Sequence, residues 1–179
     1  MSAASALDGV DVVRVRADNP GPLTLDGTNT WVLGRDPAWV VDPCPASPDH
    51  LPTVEEVVAA RARAGGVVLT HGHADHAGGA GELADRLGVA LGDPGPLEVI
   101  ALPGHTDDHV VFVLCGDVCC TGDAVLGEGS VFVAGDMAGY LDGLRLLRGL
   151  GLRLLCPGHG PPVTDADARL HACLAHRLD

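Results

Sequence analysis

Seven consecutive residues concentrate the chemistry of this chain: Thr70-His71-Gly72-His73-Ala74-Asp75-His76. They place three imidazoles and a carboxylate directly after the apolar run Val67-Val68-Leu69. Gly72 and Ala74 are small spacers that let the backbone turn and the polar groups converge. Imidazole and carboxylate together are a ligand set for zinc, or for iron or manganese. A dry core would leave four such groups poorly satisfied, and a solvated polar loop accounts for the pattern less well than a metal does. Three more polar residues follow apolar runs, each with a glycine just before it: His105 in Pro103-Gly104-His105-Thr106, Asp123 in Thr121-Gly122-Asp123, and His159 in Cys156-Pro157-Gly158-His159-Gly160. One histidine after a strand is usually a surface or capping residue. The whole series, in this order, points to a site gathered from loops at strand ends.

Elements that could position these residues are legible around them. Val13 to Arg16 alternates apolar and charged like a half-buried strand. Thr30 to Leu33 and Ala38 to Val41 read as a hairpin around Gly34-Arg35-Asp36-Pro37. Leu51 to Ala64 carries Leu51, Val54, Val57 and Val58 at helical spacing, with Pro52 in the first turn where it is tolerated. Val67 to Leu69 predicts a short buried strand and Gly81 to Leu87 a helix. Strands are expected at Leu97 to Leu102, Val110 to Leu114, Val118 to Cys120 and Leu152 to Leu155, and helices at Ala138 to Arg148 and Asp165 to Arg177. Strands and helices alternate with hairpins among them, which is an α/β pattern. The 179 residues fit a single domain, 1-179, and no internal repeat or low-complexity linker divides them.

Composition narrows the partners. All eleven basic residues are arginine, and against twenty-four acids the net charge is −13. That disfavours a nonspecific nucleic-acid binder, whose footprint is basic, and disfavours docking on anionic membranes. No apolar run approaches the length of a transmembrane helix. The first residues show no basic region followed by an apolar stretch, so a cytoplasmic location is expected. The six cysteines form no C-x-x-C pair, and reduced, mostly buried thiols are expected. No Gly-x-Ser-x-Gly elbow supports a serine hydrolase.

The order H-x-H-x-D-H, G-H, G-D, P-G-H-G resembles the metallo-β-lactamase fold superfamily, and within it the lactamase-β-like protein 2 group, which includes a mitochondrial single-strand endoribonuclease. The segments Asn19-Pro20-Gly21-Pro22-Leu23-Thr24-Leu25-Asp26-Gly27-Thr28-Asn29-Thr30, Pro103 to His109 and Gly122 to Gly129 carry the closer likeness, which runs from about Val12 onward. The resemblance implies a metallo-β-lactamase αββα sandwich and two metals, zinc with iron or manganese as alternatives. It implies that His71, His73 and His105 hold the first metal, that Asp75, His76 and His159 hold the second, and that Asp123 bridges them. It matches Asp42 to an aspartate that orients ligand loops, the plain alternative being a turn-starting residue before Pro43. Two departures accompany it. The spacing from His76 to His105 is 29 residues, shorter than the family's, so a β-structured pocket wall is expected to be missing. The family's C-terminal helical extension is represented only by His176-Arg177-Leu178-Asp179, so the fold is expected to be shortened and without that extension.

Catalysis is expected from Asp75, as orienter of the attacking water, and from His109, which reads equally as a support for the ligands, a substrate contact or an ordinary strand-start residue. Asp107 and Asp108 read as solvated or capping, Thr106 as a turn residue or ligand orienter, Cys156 as a buried thiol, and His50, His171 and His176 as surface residues. The functional expectation is a binuclear zinc hydrolase acting on small esters, thioesters or lactones through a metal-bound hydroxide. The alternatives are a metal-dependent single-strand endoribonuclease, against which the charge counts, and a metal-binding module with little activity. A small-molecule substrate is the expected partner, with no membrane and nucleic acid disfavoured.

Overall fold

A computed structural model describes residues 3–6, 11–45 and 47–178. The chain divides into two compact units, Met1–Gly95 and Pro96–Asp179, each with its own sheet.

The first unit is built on six strands in the order of the sequence: β1 (Ala3–Ala6), β2 (Val12–Arg16), β3 (Asn29–Leu33), β4 (Ala38–Val41), β5 (Ala64–Val68) and β6 (Ala90–Leu91). The first four pair antiparallel; β4, β5 and β6 run parallel, with helices in the connections. Those helices are α1 (His50–Ala59), α2 (Ala74–Ala77) and α3 (Ala80–Leu87). Parallel neighbours need a covering crossover, and the strands beneath read as continuous apolar runs for that reason. Val15, Val32, Val40 and Val67 of the sheet pack with Leu51, Val54 and Val58 of α1 and Leu83 of α3.

Helix α1 ends at Ala59, short of the Ala64 expected from its periodicity. The following residues are claimed by other partners: Ala62 N–H donates to Arg35 O, and Ala64-Gly65-Gly66 opens β5. The two glycines lie under the Trp39 indole, where a Cβ on Gly65 would stand 2.7 Å from the ring. The glycine pair is strand backbone that an indole covers closely. The expected hairpin of β3 and β4 is present, and the short helix α2, inside the histidine run, is an element the periodicity did not show.

The second unit has four strands in the order β10-β9-β8-β7: β7 (Glu98–Ala101), β8 (Val110–Leu114), β9 (Val118–Gly122) and β10 (Leu154–Pro157). Strands β7, β8 and β9 form an antiparallel meander, and β10 joins β9 in parallel after α4 (Met137–Gly149). Helix α5 (Ala166–Leu178) closes the element order and packs on α4. Leu102, Val111, Val113, Leu144, Leu155 and Leu170 are among the residues of its core. Between β8 and β9 the chain reverses through Cys115-Gly116-Asp117, with Cys115 and Gly116 at positive φ (53° and 77°) and Asp117 N–H donating to Leu114 O at 3.3 Å. Cys115 is exposed there; Cys44, Cys119, Cys120 and Cys156 are buried, Cys173 is half-buried, and all six are free thiols. No helix among the described residues is long and apolar enough to cross a membrane.

Candidate metal centre

In the first unit, β5 delivers the histidine run and β4 delivers the residue that organises it. Asp42 follows β4 with φ at 52°, an unusual backbone state for a residue with a side chain. Its carboxylate, buried at 1% exposure, accepts the Thr70 N–H at 2.7 Å, the Thr70 hydroxyl at 2.6 Å and the His76 Nδ1–H at 3.0 Å. Burial pushes this carboxyl up, yet the neighbouring His76 and the hydrogen bonds from His76 and Thr70 outweigh it and hold Asp42 below the ordinary range.

That network fixes proton positions. Thr70 has one hydroxyl proton and gives it to Asp42, so at 3.0 Å from His71 Nδ1 it accepts a hydrogen bond. His71 therefore carries its proton on Nδ1 and presents a lone pair on Nε2. His76 donates from Nδ1 to Asp42 and presents Nε2 in the same way. His71 Nε2 and His73 Nδ1 converge to 3.0 Å. His73 is the N-cap of α2, and Asp75 and His76 lie in that helix. His76 Nε2 stands 3.5 Å from Asp75 Oδ2.

Asp75 has a brace that sequence reasoning missed. Thr28 donates its hydroxyl proton to Asp75 Oδ2 at 3.3 Å and accepts from Asn19 Nδ2 at 2.9 Å, while its own N–H donates to Asn19 Oδ1 at 2.8 Å. Asn19 and Thr28 both lie in the segment noted above for its likeness, and this clasp joins them. His50 is a correction to the sequence reading: it is buried, at 0% exposure, with Nε2 2.8 Å from the Thr30 hydroxyl, which donates to Asp42 O. Burial lowers its pKa to about 4, so it is a neutral core imidazole. Burial likewise pushes the Cys44 thiol well up, so it is no nucleophile.

In the second unit the supports are backbone. His105 donates from Nδ1 to the Phe132 carbonyl oxygen at 3.0 Å, which leaves its Nε2 as the lone-pair nitrogen. Gly104 before it sits at φ 135° against Tyr140, whose Cβ would be 2.7 Å from an added Cβ, so only glycine fits. Asp123 follows β9 and His159 follows β10; Gly158 N–H donates to Gly122 O and ties the two glycine turns together. The Asp123 carboxylate lies between two imidazoles: Oδ2 is 3.5 Å from His105 Nε2 and Oδ1 is 3.4 Å from His159 Nε2. His109 is buried with its ring edge-on to His105, centroids 6.2 Å apart. Asp107 and Asp108 are exposed, and so are His171 and His176.

Both units carry donors of the kind a divalent metal takes. His71, His73, Asp75 and His76 in the first unit, and His105, Asp123 and His159 in the second, each offer an atom that could hold one. Two ligands each about 2.1 Å from one tetrahedral zinc stand about 3.4 Å apart. The His76–Asp75, His105–Asp123 and His159–Asp123 separations of 3.4 to 3.5 Å have that size, and they are long for hydrogen bonds.

Comparison with known proteins agrees with this chemistry. Residues 23–92 match the model of the metallo-beta-lactamase superfamily. The chain is 29% identical to "Beta-lactamase-like protein 2 homolog" of Caenorhabditis elegans, covering 93% of this chain and 67% of that protein. It is 31% identical to "Lactamase-like protein nscB" of Neosartorya fischeri, over 93% of this chain and 58% of the relative. The likeness throughout is to the metallo-β-lactamase superfamily. A third relative, 29% identical over 93% of this chain and 59% of its own length, is "Atrochrysone carboxyl ACP thioesterase nsrC" of Aspergillus novofumigatus. The solved metallo-beta-lactamase from Pontibacter korlensis superposes with a TM-score of 0.76 at 17% identity, covering 100% of both chains. This protein therefore has the metallo-β-lactamase fold, in a mixed α/β chain with two sheets. It spans about two thirds or less of the length of these curated relatives. Members of the superfamily are generally hydrolases.

Proposed function

We propose that this chain is a two-metal hydrolase of small esters, thioesters or lactones. In this reading His71, His73 and His105 hold one metal, Asp75, His76 and His159 hold the other, and Asp123 touches both. The reading takes residues 1-179 as a single metallo-β-lactamase-like domain. Zinc suits this nitrogen and oxygen set, with iron or manganese as alternatives. The observation that carries the reading is the Asp123 carboxylate, which turns one oxygen to His105 and the other to His159, two imidazoles assigned to different ions.

Such metals, when bound, lower the pKa of water from about 15.7 towards 7 and polarise a carbonyl oxygen. The chain supplies the rest. Thr28 fixes the Asp75 carboxylate so that it orients the attacking water and holds its proton. The Asp42–Thr70 network and the Phe132 carbonyl keep the His71, His76 and His105 Nε2 atoms unprotonated and aimed. His109, edge-on to His105, packs against that ligand's ring. The substrate preference is supported by charge. A polyanion approaching a chain of net −13 meets repulsion that salt screens over about 8 Å without abolishing. A small acyl compound does not, and one relative is named a thioesterase.

The test pairs elemental analysis with rates on a thioester, a lactone and a short RNA at two ionic strengths. Two metals per chain are expected, with the carbonyl substrates turned over faster. Asp123→Ala is expected to lose metal from both positions and to abolish turnover; near-normal turnover in it would sink the two-metal reading. Efficient RNA cleavage without esterase activity would move the assignment to a metal-dependent endoribonuclease. Metal uptake without turnover of any substrate would leave a metal-binding module.

A further inference from the structure

The second unit holds a cavity of about 300 Å³ beside α5, lined by residues that the metal centre does not use. Its walls are apolar: Val125, Leu126, Val131, the Tyr140 ring and Ala172. At its edge stand two guanidinium groups, Arg169 and Arg177. Their surroundings are unusual for this chain. Arginines elsewhere in the chain make ion pairs with carboxylates, as Arg16, Arg35, Arg61, Arg63, Arg86, Arg145, Arg148 and Arg153 do among the described residues. In a chain with twenty-four acids, neither Arg169 nor Arg177 faces a carboxylate among the described residues. Instead Arg169 donates from Nε to Leu126 O at 2.9 Å and from Nη2 to Gly129 O at 2.7 Å. Arg177 donates from Nη2 to Val131 O and to Ser130 Oγ at 3.2 Å, with its guanidinium 6.0 Å over the Tyr140 ring. Each guanidinium has five N–H donors, so Nη1 of both remains available. The charges act on the same space: both arginines lower the Cys173 and Tyr140 pKa values that burial raises.

Two cations with no carboxylate partner among the described residues, held in place by carbonyl oxygens, beside an apolar chamber of small-ligand size, form a site for a molecule with an apolar body and one anionic head. We propose that this cavity binds a carboxylate with a short aliphatic chain, its carboxylate on Arg169 and Arg177 and its chain against Val125, Val131 and Tyr140. The site is separate from the proposed metal ligands. Loop 126–132, which the two arginines hold, also supplies the carbonyl oxygen that accepts from His105.

Octanoate is the probe, with octan-1-ol as its uncharged match, titrated by calorimetry into the protein as purified and again after chelator treatment. Octanoate is expected to bind with one site per chain, at least tenfold tighter than octan-1-ol and equally with and without metal. The double variant Arg169→Gln/Arg177→Gln should lose at least tenfold for octanoate and leave octan-1-ol unchanged. Because those arginines also fasten the loop, Ala172→Phe serves as a second variant: it fills the chamber from an exposed helix position and should abolish binding of both probes. Equal affinity for the two probes would reduce the cavity to an apolar void and overturn the proposal. Octanoate binding that follows metal content and survives both variants belongs to the metal centre and overturns it too, as does no binding at all.

Discussion

The two units support their candidate ligands by different means. In the first, side chains do it: one buried carboxylate, Asp42, serves Thr70 and His76, and through Thr70 sets His71, while Thr28 and Asn19 set Asp75. In the second, backbone does it: a carbonyl orients His105, and paired glycine turns place Asp123 and His159. The difference is one of vulnerability. A side-chain brace concentrates several ligands on one residue, so a single substitution can release them together. A backbone brace has no side chain to delete and fails only when the turn itself is deformed.

The largest effect should come from Asp42→Ala. It strips the acceptor from three buried donors and is expected to cost about 3–5 kcal/mol in denaturant unfolding, with metal lost from the first unit's histidines. Stability within about 1 kcal/mol of the parent would show that the brace is dispensable. The counterpart in the second unit is Gly104→Ala, which sets a Cβ against Tyr140 at a positive φ; about 2–3 kcal/mol is expected. If its metal loss matched that of Asp42→Ala, the contrast between the two kinds of support would fail.

The pH dependence comes next and belongs to the first unit. The His50 pKa is about 4 in the folded protein against 6.5 for an ordinary histidine, so between these values the unfolded chain binds more protons than the folded one. This contribution is fully present above pH 6.5 and is lost as pH falls towards 4, at most about 3 kcal/mol across the window. Unfolding midpoints measured at several pH values should fall with acid in that range, and the slope should flatten in His50→Gln. The smallest effect is expected from Thr28→Val, which removes a single hydroxyl from Asp75: about 1 kcal/mol in stability. Turnover should fall on the order of tenfold, since partners of a ligand commonly tune activity by about 10–100-fold. A change in stability with no change in turnover would make Thr28 purely structural.

How much of this was legible beforehand follows the same division. The second unit's glycine-before-ligand signature is local, and β8, from Val110 to Leu114, lies where a strand is expected. The parts that escaped are long-range. The helical spacing from Leu51 predicts a helix on to Ala64, yet Ala64-Gly65-Gly66 is strand backbone under an indole that comes from Trp39, a strand away. His50 looked like a surface residue because its partner is Thr30, twenty positions earlier. The clasp of Asn19, Thr28 and Asp75 joins residues as far as 47 positions apart, and no periodicity reports such a contact. Helix α2 is four residues long and defined by the backbone bonds to His73 O, too short for a hydrophobic pattern to mark.

The hairpin turn at Cys115-Gly116 has a practical consequence. Because Cys44, Cys119, Cys120 and Cys156 are buried, a water-soluble maleimide meets the turn first, with half-buried Cys173 the slower competitor. A brief, substoichiometric reaction therefore puts a dye or surface tether on the β8–β9 hairpin. That position is eight residues from Asp123 in sequence, and neither strand of the hairpin supplies a candidate ligand side chain. The chain thus carries its own handle for fluorescence or immobilised assays, with no engineered residue required.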